Sequence, residues 1–310
     1  MKFLKFIFCQ KFTLVTILLL ISAYFAATQN APAQSTQLSD GSLLIGIIAD
    51  CQFADQPAVG VRQYSLSDKK LEKCVDHFNS KDLDHVFHLG DFIDQKMESF
   101  DIVEPIINRL KAPFTLVLGN HDFSVSDEFK TKIPEILGLE KRYFTIKLKG
   151  WKFIILDGND ISLYAWPTGS KENDESHQIY REKYENQESY NGALGDNQLA
   201  WLQEELEYAE KNSESVILLC HFPILPVDAH VLWNSKQVLD LISSYQSVKA
   251  WFNGHNHAGD YVEYDGIHFL TFRGMVDTEE NSYATVVLEN DQLLISGIGR
   301  EENRNLIIRK

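Results

Sequence analysis

The chain has 310 residues, 44% hydrophobic and 24% charged, the balance of an ordinary globular protein with enough apolar material for a sizeable core. This excludes a collagen-like, low-complexity or wholly disordered chain. Its 44 acidic against 29 basic side chains give a formal charge of −15, which argues against a nucleic-acid binder driven by a basic face.

The N-terminus carries Lys2, Lys5 and Lys11, then an apolar run from Phe12 to Ala27 and a polar stretch containing Ala31-Pro32-Ala33. A basic start, a short apolar region and a small-x-small site describe a secretory signal over residues 1–33. The apolar run is 16 residues, short for a membrane span, with an uncleaved signal anchor as the alternative. The expectation is an exported chain, periplasmic or extracellular, with no membrane partner after cleavage. Removing 1–33 takes away three lysines and no acid, so the charge moves from −15 to −18. Cys51, Cys74 and Cys220 remain; three separated cysteines make no disulfide framework.

After a polar segment, 34–42, strands and helices alternate. Leu43–Ala49 is a continuous apolar run, suited to a strand buried on both faces. Leu66–Phe78 has helical spacing, with Leu71, Val75 and Phe78 on one side. Asp84–Leu89 reads as a strand, Asp101–Leu110 as a helix despite Pro105, and Phe114–Leu118 and Trp151–Leu156 as strands. Residues 159–195 are polar, without a clear period, and read as a lid-like insertion. Leu199–Ala209 is helical, with Asp196 as its expected N-cap. Val216–Leu219, Ala250–Asn253, Ile267–Thr271, Thr285–Leu288 and Leu293–Gly297 complete the strands. This alternation predicts one α/β domain over 43–310, with a mixed sheet in its strand-rich last third.

Five segments share one design: an apolar strand ends in metal-capable side chains. They are Asp50 and Gln52; Asp91 in Gly90-Asp91-Phe92-Ile93-Asp94; Asn120-His121-Asp122 after Gly119; His221; and Gly254-His255-Asn256-His257. Ligands of open α/β sheets bind beyond the carboxyl ends of strands. Oxygen donors mixed with imidazoles suit Mn, Fe, Zn or Co, and the absence of a cysteine cluster argues against a structural zinc.

In this order and these residue types, the chain resembles the calcineurin-like metallophosphoesterases. Gln52 stands where that family usually has His. Asp50-Cys-Gln-Phe-Ala-Asp55, Ile161–Pro167, Tyr190-Asn-Gly-Ala-Leu-Gly195, His221-Phe-Pro-Ile224 with Leu232-Trp-Asn234, and Gly266-Ile-His268 are similar to the manganese-dependent ADP-ribose/CDP-alcohol diphosphatase branch. The export signal departs from that branch, and the stretch between Asp55 and Arg62 is short for it.

The resemblance implies a four-layer α/β/β/α sandwich of two mixed sheets flanked by helices. It implies two divalent ions, Mn foremost with Mg, Fe, Co or Zn as alternatives. Asp50, Gln52 and His257 would hold one; Asn120, His221 and His255 would hold the other; Asp91 would bridge them. Two cations lower the pKa of a shared water, and the hydroxide attacks phosphorus. They also reverse the sign of the field that an acidic chain presents to an anion. His121 would donate a proton to the leaving oxygen or stabilise transition-state charge. Asp94 would steady a ligand, and Asp122 would either orient His121 or cap the following turn.

Arg62 and Tyr64 would contact nucleotide or phosphate, and Asn191 and Leu194 would line a nucleoside pocket. Phe53, Tyr164 and Trp166 could stack a base but read better as packing residues, as His85 and His88 read better as sheet-face residues than ligands. The implied substrate is a small nucleoside diphosphate derivative, cleaved to a nucleoside monophosphate and a phosphate ester. A cyclic-nucleotide or other phosphodiester phosphodiesterase is the nearest alternative. An inactive metal-bound interaction protein is the alternative from another class, and the complete ligand set argues against it.

Overall fold

The structure, a computed structural model, describes residues 41–309. The expected export signal, residues 1–33, lies outside the described residues. Among the described residues no helix is long and apolar enough to cross a membrane.

Fourteen strands are described: β1 (Leu43–Ile48), β2 (His85–His88), β3 (Phe114–Leu116), β4 (Phe144–Leu148), β5 (Trp151–Ile155), β6 (Ile161–Ser162), β7 (Gly192–Ala193), β8 (Ser215–Leu219), β9 (Val248–Asn253), β10 (Asp260–Tyr264), β11 (Ile267–Thr271), β12 (Ser282–Leu288), β13 (Gln292–Gly299) and β14 (Arg304–Ile307). One six-stranded sheet has the order β14-β13-β12-β1-β2-β3, the other β10-β11-β9-β8-β5-β4. In the first, β1, β2 and β3 are parallel neighbours; in the second, β5, β8, β9 and β11 are. Both sheets gain antiparallel partners toward their edges, so both are mixed.

Alternating side chains explain the layering. Ile45, Ile47 and Phe87 of the first sheet meet Phe153, Ile217, Leu219 and Phe252 of the second in a core between them. The residues between, such as Ile48 and Val86, face helices Ser67–Asn79 and Glu98–Ile107, which bury Leu71, Val75, Phe78 and Val103. Behind the second sheet, Ile154, Val216, Leu218 and Trp251 pack on helices Asp196–Lys211 and Ser235–Ile242 through Leu202, Leu206, Val238 and Ile242. Each large apolar side chain so buried contributes about 1.5–3 kcal/mol. The result is the expected α/β/β/α sandwich.

Five described strands lie outside the expected set: β6 and β7 within the insertion, and β4, β10 and β14, which are all edges of the six-stranded sheets. The three edge strands are half exposed and mix charged with apolar residues, so they lack the signature of a buried strand. Pro105 lies two residues from the end of helix Glu98–Ile107, late enough for the helix to form. The cap of helix Asp196–Lys211 is Gly195, not Asp196. The Gly195 N–H donates to Asp160 Oδ2 at 3.0 Å, a tertiary contact that displaces the local one.

The insertion at 159–195 is folded. β6 pairs with β7, and helix Lys171–Ile179 is capped by Ser170 Oγ accepting from the Asn173 N–H. The next turn lays Tyr180 and Tyr184 against Trp233, with ring centroids 4.9 and 5.7 Å away. The Trp233 indole N–H donates to Glu188 O at 2.9 Å. A polar arm with little apolar periodicity is thus held by one distant tryptophan, and it delivers residues 190 and 191 to the strand ends.

Candidate active site

The strands that carry the metal-capable motifs, β1, β2, β3, β8 and β9, are all among the parallel ones, and their carboxyl ends converge. The loops beyond them are joined backbone to backbone. Asp50 N–H donates to Gly90 O at 3.2 Å, Gln52 N–H to Asp91 O at 2.8 Å, Gly254 N–H to His221 O at 3.1 Å, and Val276 N–H to Asp50 O at 2.9 Å. Asp50, Gln52, Asp91 and His255 all have positive φ, between 43° and 68°. Each non-glycine residue held there costs about 1–3 kcal/mol, a strain that the surrounding packing must hold and that clusters at functional sites. Crowding sets the glycines. A Cβ on Gly90, whose φ is +95°, would lie 2.5 Å from His221 Nδ1, and one on Gly254 would lie 2.5 Å from Asp50 Oδ2.

Around His221 Nε2 stand Asn120 Oδ1 at 3.0 Å, Asp91 Oδ2 at 3.2 Å and His255 Nδ1 at 3.2 Å. On the other side of Asp91, His257 Nε2 lies 3.5 Å from Asp50 Oδ1, and Gln52 Nε2 donates to Asp91 Oδ2 at 2.9 Å. All seven expected ligands are therefore gathered, with Asp91 between the two groups.

Three observations show that the set fits divalent cations. The Gln52 Oε1 atom is buried without a hydrogen-bond partner, which is costly unless something else takes its lone pairs. Asp91, His221 and His255 offer donor atoms all within 4.8 Å of one another. Each imidazole also has its outer nitrogen on an oxygen: His221 Nδ1 on Leu89 O at 2.8 Å, His255 Nε2 on Asn191 Oδ1 at 2.9 Å, and His257 Nδ1 on Asp277 Oδ1 at 3.0 Å. That bond fixes the tautomer and leaves the inner nitrogen free to ligate.

The electrostatics draw positive charge to the same place. Burial alone would lower His221 and His257, but Asp91 beside the first and Asp50 beside the second raise them to about 9. Burial alone would raise Asp91, but His221 and His121 hold its carboxyl below the usual range. Divalent cations meet the same demand.

A model of the calcineurin-like phosphoesterase family matches residues 43–259, which span every one of these ligands. The chain belongs to this family. Among characterised phosphoesterases, the chain is similar to the human manganese-dependent ADP-ribose/CDP-alcohol diphosphatase. They are 29% identical over 328 residues, covering 88% of this chain and 96% of that one. The Arabidopsis thaliana enzyme of the same name is 28% identical over 273 residues, covering 77% and 88%. The crystal structure of a dimetal phosphatase from Danio rerio shares the fold, with a TM-score of 0.78 at 23% identity over 86% of this chain and 99% of that one.

Beside the ligands lies a cavity of about 370 Å³, lined by Gln52, Arg62, Asp91, Asn120, His121, Tyr190, His230, His255 and His257. In this phosphoesterase His121 is on the cavity wall, and its Nδ1 is held by Asp94 Oδ1. Asp94 Oδ2 accepts from Gln56 Nε2 at 2.9 Å. Asp94 therefore holds His121, whereas the sequence reading had it steady a metal ligand.

Asp122 fills neither of its expected roles. Its carboxylate accepts the backbone N–H groups of Asp91, Phe92, Ile93 and Gly119, which pins the Asp91 loop to the Asn120 loop. Burial and the nearby Asp91 raise its carboxyl to about 7.

Of the expected substrate contacts, Arg62 lines the cavity, and Tyr64 and Asn191 do not. Tyr64 is buried and hydrogen-bonded with Arg62, so it supports the arginine. Asn191 is 1% exposed, with Oδ1 on His255 and Nδ2 donating to Ala229 O at 2.8 Å. Its amide is taken up within the protein and orients His255. Leu194 is part of the helix-side core and does not line this cavity. Tyr164 donates to Asn159 Oδ1 and Trp166 to Asp160 O, consistent with packing roles.

His85 meets Thr115 Oγ1 at 2.9 Å. His88 is buried against Phe92 with neither ring nitrogen paired; burial lowers it to about 4, which keeps it neutral. Cys51, Cys74 and Cys220 are free and buried. Burial pushes the Cys51 and Cys220 thiols up to about 12, which leaves them unreactive.

Two residues of the site carry no motif signal, Asp277, which holds His257, and His230 on the cavity wall; Tyr190, also on that wall, opens a motif but was given no role of its own. Arg62 and Asp277 form a backbone bridge, and Lys70 Nζ donates to Met275 O and Asp277 O at 2.5 and 3.1 Å. The loop that holds His257 is thus anchored from the opposite helix.

Proposed function

We propose that the chain hydrolyses the phosphoanhydride of nucleoside diphosphate derivatives, of the ADP-ribose and CDP-alcohol class, to a nucleoside monophosphate and a phosphate ester. Asp50, Gln52, Asp91 and His257 would hold one divalent ion and Asp91, Asn120, His221 and His255 the other, with manganese preferred. The observation that carries the reading is the cavity itself. Gln52 replaces the usual His ligand, Arg62 and His121 flank the ligand set, and the chain matches manganese-dependent ADP-ribose/CDP-alcohol diphosphatases over nearly their whole length.

When bound, the ions supply Lewis acidity and a reactive water. The protein's own residues do the rest. Arg62, braced by Tyr64, offers paired N–H donors to phosphate oxygens. His121 Nδ1 stays on Asp94, so Nε2 is the atom that hands a proton to the bridging oxygen as its bond to phosphorus breaks.

The purified chain supplied with Mn²⁺ should release AMP from ADP-ribose, measured by chromatography of the products. A panel that also includes CDP-choline, cyclic nucleotides and simple diesters decides between this reading and a phosphodiesterase. No turnover of any nucleoside diphosphate derivative would overturn it.

The amide at position 52 is a harder donor than imidazole. Gln52→His should therefore move the metal preference from Mn toward Zn or Fe, read by competitive metal titration. An unchanged profile would refute this account of Gln52.

A further inference from the structure

On one wall of the cavity three chain segments meet at His230. Its Nδ1 lies 3.1 Å from Asp228 Oδ2, and its backbone N–H donates to Asp228 Oδ1 at 2.7 Å. Asp228 Oδ2 also accepts from Asn256 Nδ2 at 3.0 Å, and Asn256 sits between the two histidines of the last ligand motif. From the folded arm, Tyr190 places its ring centroid 6.2 Å from His230 and 5.7 Å from His255, while its hydroxyl donates to Ala229 O at 3.3 Å. The His230 ring stands edge-on to His255, 5.7 Å away. An ordinary surface Asp-x-His turn would need neither the Asn256 tie nor the Tyr190 wedge.

Asp228 is acceptor-only when ionised, so it keeps a proton on Nδ1 and leaves Nε2 as the atom available to a ligand. Nε2 accepts when the ring is neutral and donates when it is protonated. A hydroxyl group, which does both, matches it in either state. A phosphate oxygen matches only the protonated ring, and Arg62 and His121 already serve the phosphates.

We propose that His230 is a specificity residue that hydrogen-bonds a sugar hydroxyl of the substrate, with Asp228, Asn256 and Tyr190 positioning it. This rests on the reading of the cavity as a nucleoside diphosphate site. The hydroxyl belongs either to the nucleoside ribose or to a sugar on the leaving phosphate, and the substrates below separate the two.

In the full chain with Mn²⁺ supplied, His230→Ala should lower the specificity-constant ratio of ADP-ribose to bis(p-nitrophenyl) phosphate, which has no sugar. The expected fall is about five- to tenfold, the worth of one neutral hydrogen bond, and it should come through KM more than kcat. His230→Gln, which keeps a hydrogen-bonding group, should recover part of it. CDP-choline carries no hydroxyl on its leaving side. A fall shared by CDP-choline assigns the contact to the nucleoside ribose, and a fall confined to ADP-ribose assigns it to the leaving sugar.

Calorimetric affinities for AMP and ribose 5-phosphate read the same contact without turnover. A five- to tenfold loss for one of them supports the proposal even if the diphosphatase reading fails. Unchanged affinities for both, or an unchanged ratio in a wild-type-active enzyme, overturn it.

Discussion

His121→Ala should lower turnover about 10²–10⁴-fold, the usual contribution of a positioned acid or base, and leave two metal ions bound. The split follows from which atoms of His121 do what. Its backbone N–H donates to Asp91 Oδ1 at 2.8 Å and survives the substitution, so the Asp91 carboxylate keeps its place. The lost imidazole touches Asp94 and the cavity, and is at hydrogen-bonding distance from none of the seven ligand side chains.

The pH profile should change with it. Burial alone would lower His121, but Asp91 and the Asp94 carboxylate raise it above its ordinary value. A raised base still holds its proton at its ordinary value and loses it only as pH rises through the higher one. Wild-type turnover should therefore fall on that alkaline side, and the fall should be missing from the variant. Kinetics across pH, with metal content measured on the same samples, check both points. Metal loss in His121→Ala would make the residue a ligand instead.

Asp91→Ala should abolish binding of at least one ion and cut turnover about 10³-fold or more, since cation chemistry supplies several kcal/mol at about 1.4 kcal/mol per decade. The Asp91 carboxylate touches side chains of both ligand groups. Oδ2 accepts from Gln52 Nε2 at 2.9 Å and lies 3.2 Å from His221 Nε2, while Oδ1 holds the His121 N–H. Removing the carboxylate frees the Gln52 amide, unpins His121 and takes away one of the two buried ligand carboxylates. Metal content by mass spectrometry, with turnover on a simple diester, checks the result. Retention of two ions with near-normal turnover would show that Asp91 does not bridge.

The contrast between these residues marks how far the sequence could be read. Asp50, Asp91, Asn120, His221 and the 255–257 pair were legible because parallel strands buried on both faces appear as continuous apolar runs, and polar residues at their ends stand out. Gln52 stood out with them by its place at a strand end, but its assignment to a particular ion came only through resemblance, since a glutamine after a strand has no signature of its own. Asp94, Asp122 and Asn191 were visible as polar residues near motifs, but their work was not. Whether a carboxylate orients His121 or ties backbone N–H groups depends on which loop lies opposite, and no local pattern encodes that. Tyr190 reaches the site from the polar arm, Asp277 from the loop between β11 and β12, and His230 from the loop after β8.

The sequence by itself therefore determined the α/β class and the inventory of donors, because apolar periodicity and residue chemistry are local properties of the chain; the two-sheet sandwich came through resemblance. Only the tertiary structure decided how those donors are held. Each bond that orients them joins segments far apart in sequence: Asp94 to His121, Asp277 to His257, Asn191 to His255. Such a bond forms only once the two sheets and the arm on Trp233 have packed and buried the groups away from competing water.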